Sequence, residues 1–228
     1  MLISRKKFPT VPDMPLLLHN LPLSKVNTFK YLGVLLAEDL AWNPHIQSIC
    51  SKARQVLGLL YRRFYNYSNT DTLEKLYVSL VRPHLEYACP VWVPHTAKDI
   101  HTLESVQKFA LKMATHNWNA SYLELQPLIN IPTLERRRLE LKLCHLFKIV
   151  HNLCYFPQDI IRAREQTASV SQTRFAHQFC LQQPYAHTNS YFYSFVPHAI
   201  SYWNSLPQEL VAASSLKAFK LKLRDHNF

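Results

Sequence analysis

Glycine is almost missing. The chain of 228 residues has two, Gly33 and Gly58, where an ordinary usage of about 7% would supply roughly sixteen. With both standing alone there is no Gly-rich loop to cradle phosphates, and NTP hydrolysis on such a loop is excluded. Cysteine is sparse and scattered: Cys50, Cys89, Cys144, Cys154 and Cys180 are odd in number and never form CxxC. A disulfide scaffold does not follow, and a reducing compartment is expected. No run reaches the ~18 apolar residues that a membrane span requires. At the N-terminus Met1-Leu2-Ile3 meets Arg5-Lys6-Lys7 at once, the reverse of a secretory leader. No membrane partner is expected. Acid is short as well, with 15 Asp and Glu against 26 Lys and Arg. The aspartates Asp13, Asp39, Asp71, Asp99, Asp159 and Asp225 are all far apart in sequence. Two-metal nucleotidyl transfer needs carboxylates that hold two ions about 4 Å apart. No catalytic residue and no metal ligand is therefore assigned, and the chain is not expected to polymerise nucleotides alone.

What is present is a basic, aromatic-rich chain. Apolar residues make up 48% and aromatics 12%, enough for a sizeable core. A net charge of +11 favours polyanionic partners, nucleic acid ahead of anionic membrane.

Residues 1–41 read as extended. Pro9, Pro12 and Pro15 punctuate a loop, Leu16-Leu17-Leu18 forms one strand, and Phe29 to Leu36 forms the next. Gly33 falls inside that second strand and predicts a bulge or a close backbone approach.

From residue 43 the period is helical. Asn43 is placed as the cap with Pro44 in the first helical position. Ile46, Ile49, Cys50, Ala53, Leu57, Leu60 and Phe64 form the apolar stripe. His45, Lys52 and Arg63 lie on one shoulder, with Arg54 and Arg62 on the other. A second helix from about Thr70 buries Leu73, Leu76, Tyr77 and Leu80, and Pro83 should kink or end it. A third covers about 97–116 with Ile100, Leu103, Ala110 and Met113 inward and Lys108 and Lys112 outward. A fourth covers about 134–152, with Leu139, Leu143, Leu146, Phe147 and Val150 as its stripe. Arg137, Arg138, His145 and Lys148 lie on its opposite side. Residues 157–190 are rich in Ser, Gln, Thr and His and read as a linker or irregular loop. A last helix is expected at about 215–225. The fold class is mainly α, led by a small piece of β-sheet.

Three constellations are weighed for chemistry. Cys144, His145, His151 and Cys154 invite a zinc reading, but structural zinc usually takes close ligand pairs from loops, and Cys144 reads as a small packing residue. Arg82-Pro83-His84-Leu85-Glu86 offers a His and a Glu near a kink, where a cap or a buried hydrogen bond is the ordinary role. Trp42, Trp92, Trp118 and Trp203 can stack on bases, although core positions are the ordinary reading for them too. The basic helix faces remain. Lys52, Arg54, Arg62 and Arg63, then Arg137, Arg138 and Lys148, are the candidates for phosphate contacts, which position a duplex without reading its sequence. The bland alternative is a solvated face with intrahelical pairs such as Arg136 with Glu140.

The stretch FKYLGV, followed by LAWNPHIQSICSKARQVLGLLYRRF, resembles the C-terminal part of non-LTR (LINE-type, Jockey/CR1-like) retrotransposon reverse transcriptases. LYVSLVRPHLEYACPVW, ERRRLELKL, WNSLPQEL and SLKAFKLKL continue the likeness in the family's order. The resemblance implies that residues 1–41 are the end of a polymerase palm, with Tyr31, Leu32 and Gly33 as primer grip. It makes 42–156 a thumb-like helical bundle, 157–190 a linker and 191–228 a C-terminal segment. It places the catalytic aspartate pair upstream of Met1, so that the chain begins inside a domain. No cofactor is then expected in this chain, although the intact parent enzyme would use Mg²⁺. The implied partners are RNA or an RNA–DNA duplex and the missing palm and fingers, inside a nuclear or cytoplasmic ribonucleoprotein. A co-opted helical protein-interaction module, or a transposon relic without function, remain as alternatives.

Overall fold

The computed structural model describes residues 17–129, 131–157, 160–164, 177–226 and 228. It is mostly helical, with two small antiparallel sheets near the N-terminus, as the patterning predicts. The chain divides into two compact units that do not follow chain order. One holds the described residues up to Leu85 together with Thr96–Ala120, and the other holds Glu86–His95 with Ser121–Phe228.

The first unit opens with two hairpins. β1 (Leu17–Leu18) pairs with β2 (Leu21–Pro22), and β3 (Thr28–Tyr31) pairs with β4 (Val34–Ala37) in the register Tyr31↔Val34. The single strand expected over 29–36 is thus two strands. Leu32 and Gly33 form the turn between them, at φ 45° and 86°. Positive φ at both central residues is the signature of a type I′ turn, whose twist matches that of the strands it joins. Gly33 is therefore a turn residue and not a bulge. The run hid the turn because β3, with its aromatic Phe29 and Tyr31, reads as part of the same strand although it is exposed, whereas Val34 and Ala37 of β4 are buried.

α1 (Asn43–Phe64) follows, with Trp42 as its N-cap and no side-chain cap. Asn43 does not cap. Its Nδ2 donates to Asp99 Oδ1 at 2.9 Å, and Pro44 stands one place later than expected. The predicted stripe is buried from Ile46 to Leu60, while Phe64 is exposed. α2 (Thr70–Leu76) is capped by Asn69, which accepts from Thr72 N. It passes into a π-helical turn at Tyr77–Val81 and then α3 (Arg82–Glu86). Pro83 explains the wide turn. Its ring would strike the carbonyl four residues back and it has no N–H to donate, so the helix widens rather than breaks. That widening rotates Leu80 to the surface, against expectation, while Tyr77 and Val81 stay buried.

α4 (Ala97–Thr115) is capped by Thr96, and His116 closes it in the left-handed region. α1 and α4 run parallel. Asn43 meets Asp99, the Cys50 thiol donates to the Thr102 carbonyl at 3.9 Å, and Arg54 meets Ser105. Between them Tyr77 donates its hydroxyl to Gln107 Oε1 at 2.7 Å in a buried pair.

The second unit contains α5 (Tyr122–Ile129), which the sequence pattern did not announce, and α6 (Leu134–Val150), capped by Thr133. Among its described residues, short helices follow: α7 (Asn189–Phe192), α8 (Phe195–Trp203), α9 (Gln208–Val211) and α10 (Leu216–Asp225). Its core gathers Leu143, Leu146 and Phe147 of α6 with Trp203, Val211, Phe219 and Leu223. Phe147 stacks on Phe219 at 4.5 Å between ring centres.

Part of the expected linker is tied down. Asn204 clamps Leu181, accepting from its N–H at 2.9 Å and donating to its carbonyl at 2.8 Å. Ala163 and Leu181 form an isolated bridge. Residues 158–159 and 165–176 of that expected linker lie outside the described residues.

Candidate nucleic-acid interface

α1 carries no acidic residue, and none occurs from Leu40 to Thr70. Lys52, Arg54, Arg62 and Arg63 are all exposed on it. They do not form one face. Arg54 lies toward α4, where its Nη2 donates to Ser105 Oγ at 3.0 Å. Arg62 stands on the same side as Gly58, and a Cβ at Gly58 would meet Arg62 Nη1 at 3.5 Å. Lys52 and Arg63 fall on the opposite shoulder by helical periodicity. Arg62 and Arg63 also sit in the last turn, where positive charge suits the helix dipole.

His45 does not join Lys52 on an exposed shoulder. It is buried, and its Nδ1 accepts from Leu35 N of β4 at 3.2 Å. Burial and the nearby Lys52 charge hold it below the usual imidazole range, which keeps that nitrogen unprotonated and able to accept. His45 thereby ties the β3–β4 hairpin to the first turn of α1. At the tip, Leu32 is 74% exposed and Tyr31 is exposed beside it.

In the second unit the outward basic face expected of α6 is largely absent. Arg138 is buried at 4% exposure. Arg137 is half-buried and grips Glu86 in a two-pronged pair, Nε to Oε1 at 2.9 Å and Nη2 to Oε2 at 3.0 Å. Its Nη1 reaches Glu140, which Arg136 also holds at 3.2 Å. Lys148 is half-buried. α6 packs on more than one side, so the pattern that looked like an outer face is partly an inner one.

Lys142 is fully buried with its ammonium 2.8 Å from His198 Nδ1. Burial brings Lys142 down to about 8 and, with the Lys142 charge beside it, His198 down to about 4. Cys89 is buried nearby in the same field, pushed up to about 12 chiefly by burial. The apolar neighbours of Lys142 gave no signal that a lysine would be interior.

Of the residues weighed for zinc, the two histidines have other partners and the two cysteines are free thiols. Cys144 is buried, His145 meets Phe195 edge-on, and His151 bonds the Val211 carbonyl at 3.0 Å while stacking on Phe147. Of the pair near the kink, His84 is exposed and Glu86 is committed to Arg137. Three of the four described aspartates likewise have structural work. Asp39 accepts from Ala41 N, Asp71 pairs with Lys75 one turn on, and Asp99 accepts from Thr96 Oγ1 and Asn43. Among the described residues no three His, Cys, Asp or Glu side chains converge as a metal site.

Of the tryptophans, Trp92 and Trp203 are fully buried and Trp42 is half-buried. Trp118 is partly exposed.

No protein-family model and no solved structure matches the chain. Over 103 residues, 44% of its length, the chain is 25% identical to "Probable RNA-directed DNA polymerase from transposon X-element" of Drosophila melanogaster. The match spans 11% of that protein. The chain is thus similar to a segment of a transposon RNA-directed DNA polymerase, about a tenth of its length.

Proposed function

We propose that this chain is a duplex-holding segment of a non-LTR, LINE-type reverse transcriptase. It combines the end of the palm with thumb-like helices and binds RNA–DNA or RNA duplex through phosphates. The observation that carries the reading is the likeness to the X-element polymerase over 44% of the chain. Physical features support it. α1 offers exposed cations with no acid on the helix, as phosphate contact requires. At the hairpin tip Leu32, not glycine or asparagine, occupies a positive-φ position and leaves its side chain in solvent. Strain of that kind persists where it serves a purpose, and in this reading Tyr31, Leu32 and Gly33 present the backbone to a primer terminus. Arg137 and Arg138, engaged or buried as they stand, leave α1 as the principal phosphate-contacting element.

The exposed apolar residues of the hairpins, Leu17, Leu18, Leu21 and Phe29, are then a face for the remaining palm and fingers of such an enzyme. Uncovered strand faces and edges invite pairing. In this reading the chain holds the duplex, and the carboxylates that polymerise belong to another part of such an enzyme. It follows that the purified chain leaves a primer unextended with Mg²⁺ and deoxynucleotides.

The test is fluorescence anisotropy of a labelled RNA–DNA hybrid over a salt series. Each phosphate neutralised releases condensed counterions, so three or four contacts give a log–log slope on the order of −3. Arg54→Ala with Arg62→Ala should flatten that slope by about 2, one for each guanidinium removed. Association that ignores salt, or an absence of binding, would overturn the reading.

A further inference from the structure

One feature of the first unit has no part in phosphate contact. Where α1 and α4 end side by side, Tyr61 and Tyr65 at the end of α1 meet Phe109 of α4 and Trp118 just beyond it. Trp118 lies 5.9 Å from Tyr61 and 5.4 Å from Phe109, both edge-on, and 6.0 Å from Tyr65. Its indole N–H donates to the Tyr65 hydroxyl at 2.7 Å, and Lys112 Nζ donates to its carbonyl. The rings are held in place but not covered. Tyr61, Phe109 and Trp118 are 39%, 40% and 37% exposed. Buried aromatics are the ordinary solution, and Trp92 and Trp203 in this chain adopt it.

The two stretches that carry the rings hold charge of one sign. No acidic residue occurs from Leu40 to Thr70 or from Ser105 to Leu123, the stretches that supply all four rings. Arg62, Arg63 and Lys108 are exposed on the same two helix ends. Aromatic faces beside cations, on stretches that carry no acid, match a single strand whose bases are unstacked and whose backbone is anionic. A duplex cannot use such rings, because its bases are stacked on each other.

We infer that the Tyr61–Tyr65–Phe109–Trp118 cluster stacks unpaired nucleobases of a single strand, next to the exposed Arg62 and Arg63 at the end of α1. The inference rests on the reading of the chain as a nucleic-acid binder but concerns a different form of nucleic acid. The probe is a short labelled oligothymidylate, which stacks weakly on itself, compared with the RNA–DNA hybrid at the same salt. Trp118→Leu should weaken oligothymidylate binding about 10-fold, the loss of one stacked base, and leave hybrid binding within about 2-fold. Trp118→Phe should retain most of it. Because Trp118 braces Tyr65, Tyr61→Leu serves as a second variant, and unchanged far-UV circular dichroism shows that each variant folds.

An unchanged oligothymidylate affinity in both leucine variants overturns the inference while leaving the duplex reading in place. Equal weakening of strand and hybrid also overturns it. So does self-association of the chain that Trp118→Leu abolishes without any effect on oligothymidylate, since the cluster would then seat a second copy. Stacking lost with Trp118 in a chain that never binds the hybrid upholds the inference and removes the duplex reading instead.

Discussion

Single residues carry most of the measurable strain. Leu32 sits at φ 45° with its side chain in water. A leucine in the left-handed region costs about 1–2 kcal/mol, and Asn-Gly is the favoured pair for this turn. Leu32→Asn is therefore expected to raise stability by about 0.5–1 kcal/mol, read as a higher urea midpoint.

Lys142 is the second case. Its ammonium is buried and held below its ordinary range, so the folded chain gives up that proton near pH 8 while the unfolded chain keeps it to about 10.5. The unfolded state then binds more protons across that window, and stability must rise with pH through it. Cys89 acts the opposite way above pH 9, because it holds its proton when folded up to about 12. The clean window is therefore pH 8 to 9. Lys142→Met should abolish the rise there and add about 1–2 kcal/mol at neutral pH, since a buried charge gives way to an apolar side chain.

His45, His145 and His198 are all held below 6.5 by burial. Between pH 6.5 and about 4, the value for His198, the unfolded chain takes up protons that these folded sites refuse. Stability is expected to fall as pH drops through that range, which a series of thermal melts would show.

At the scale of elements, α6 is held by ion pairs that are not on the surface. Arg137 joins Glu86 and Glu140, with side-chain exposures of 18%, 13% and 8%. Removing the guanidinium takes its two-pronged partner from the largely buried Glu86 and one of two arginines from Glu140, so Arg137→Ala should cost about 2–4 kcal/mol. Chemical denaturation separates this role from a phosphate contact. A phosphate contact would leave the midpoint unchanged and flatten the salt slope by about 1. The β3–β4 hairpin depends on a smaller device, the acceptance of Leu35 N–H by His45. Protonated His45 cannot accept, so acidification loosens the hairpin from α1 before it touches the helix cores. The Leu35 amide should lose protection against exchange, relative to its intrinsic rate, as pH falls below 6.5 and ahead of amides in α1 and α4.

For the whole molecule the governing quantity is charge. A surplus of +11 repels itself and is relieved by a polyanion, so under the proposed function affinity and apparent stability move together. Hybrid added in excess should raise the melting temperature at low salt and do so less as salt increases. The two compact units do not follow chain order. Only in the tertiary structure does α4 come to lie along α1 rather than beside its neighbours in sequence.

The sequence by itself determined the long helices, the stripe from Ile46 to Leu60 and the excess of cations, because all of these follow from local periodicity and composition. It did not yield the hairpin at Leu32-Gly33. A partly buried strand and an exposed strand bearing two aromatics look alike when read in line. Nor did it tell an outer arginine from an inner one. Lys142, Arg137 and Arg138 occur at ordinary helical spacing, and only packing on both sides of α6 decides that they lie inward. The gathering of Tyr61, Tyr65, Phe109 and Trp118 likewise required α1 and α4 to run parallel. Spacing along one helix does not encode which other helix will lie against it, since that depends on how the non-local faces fit together.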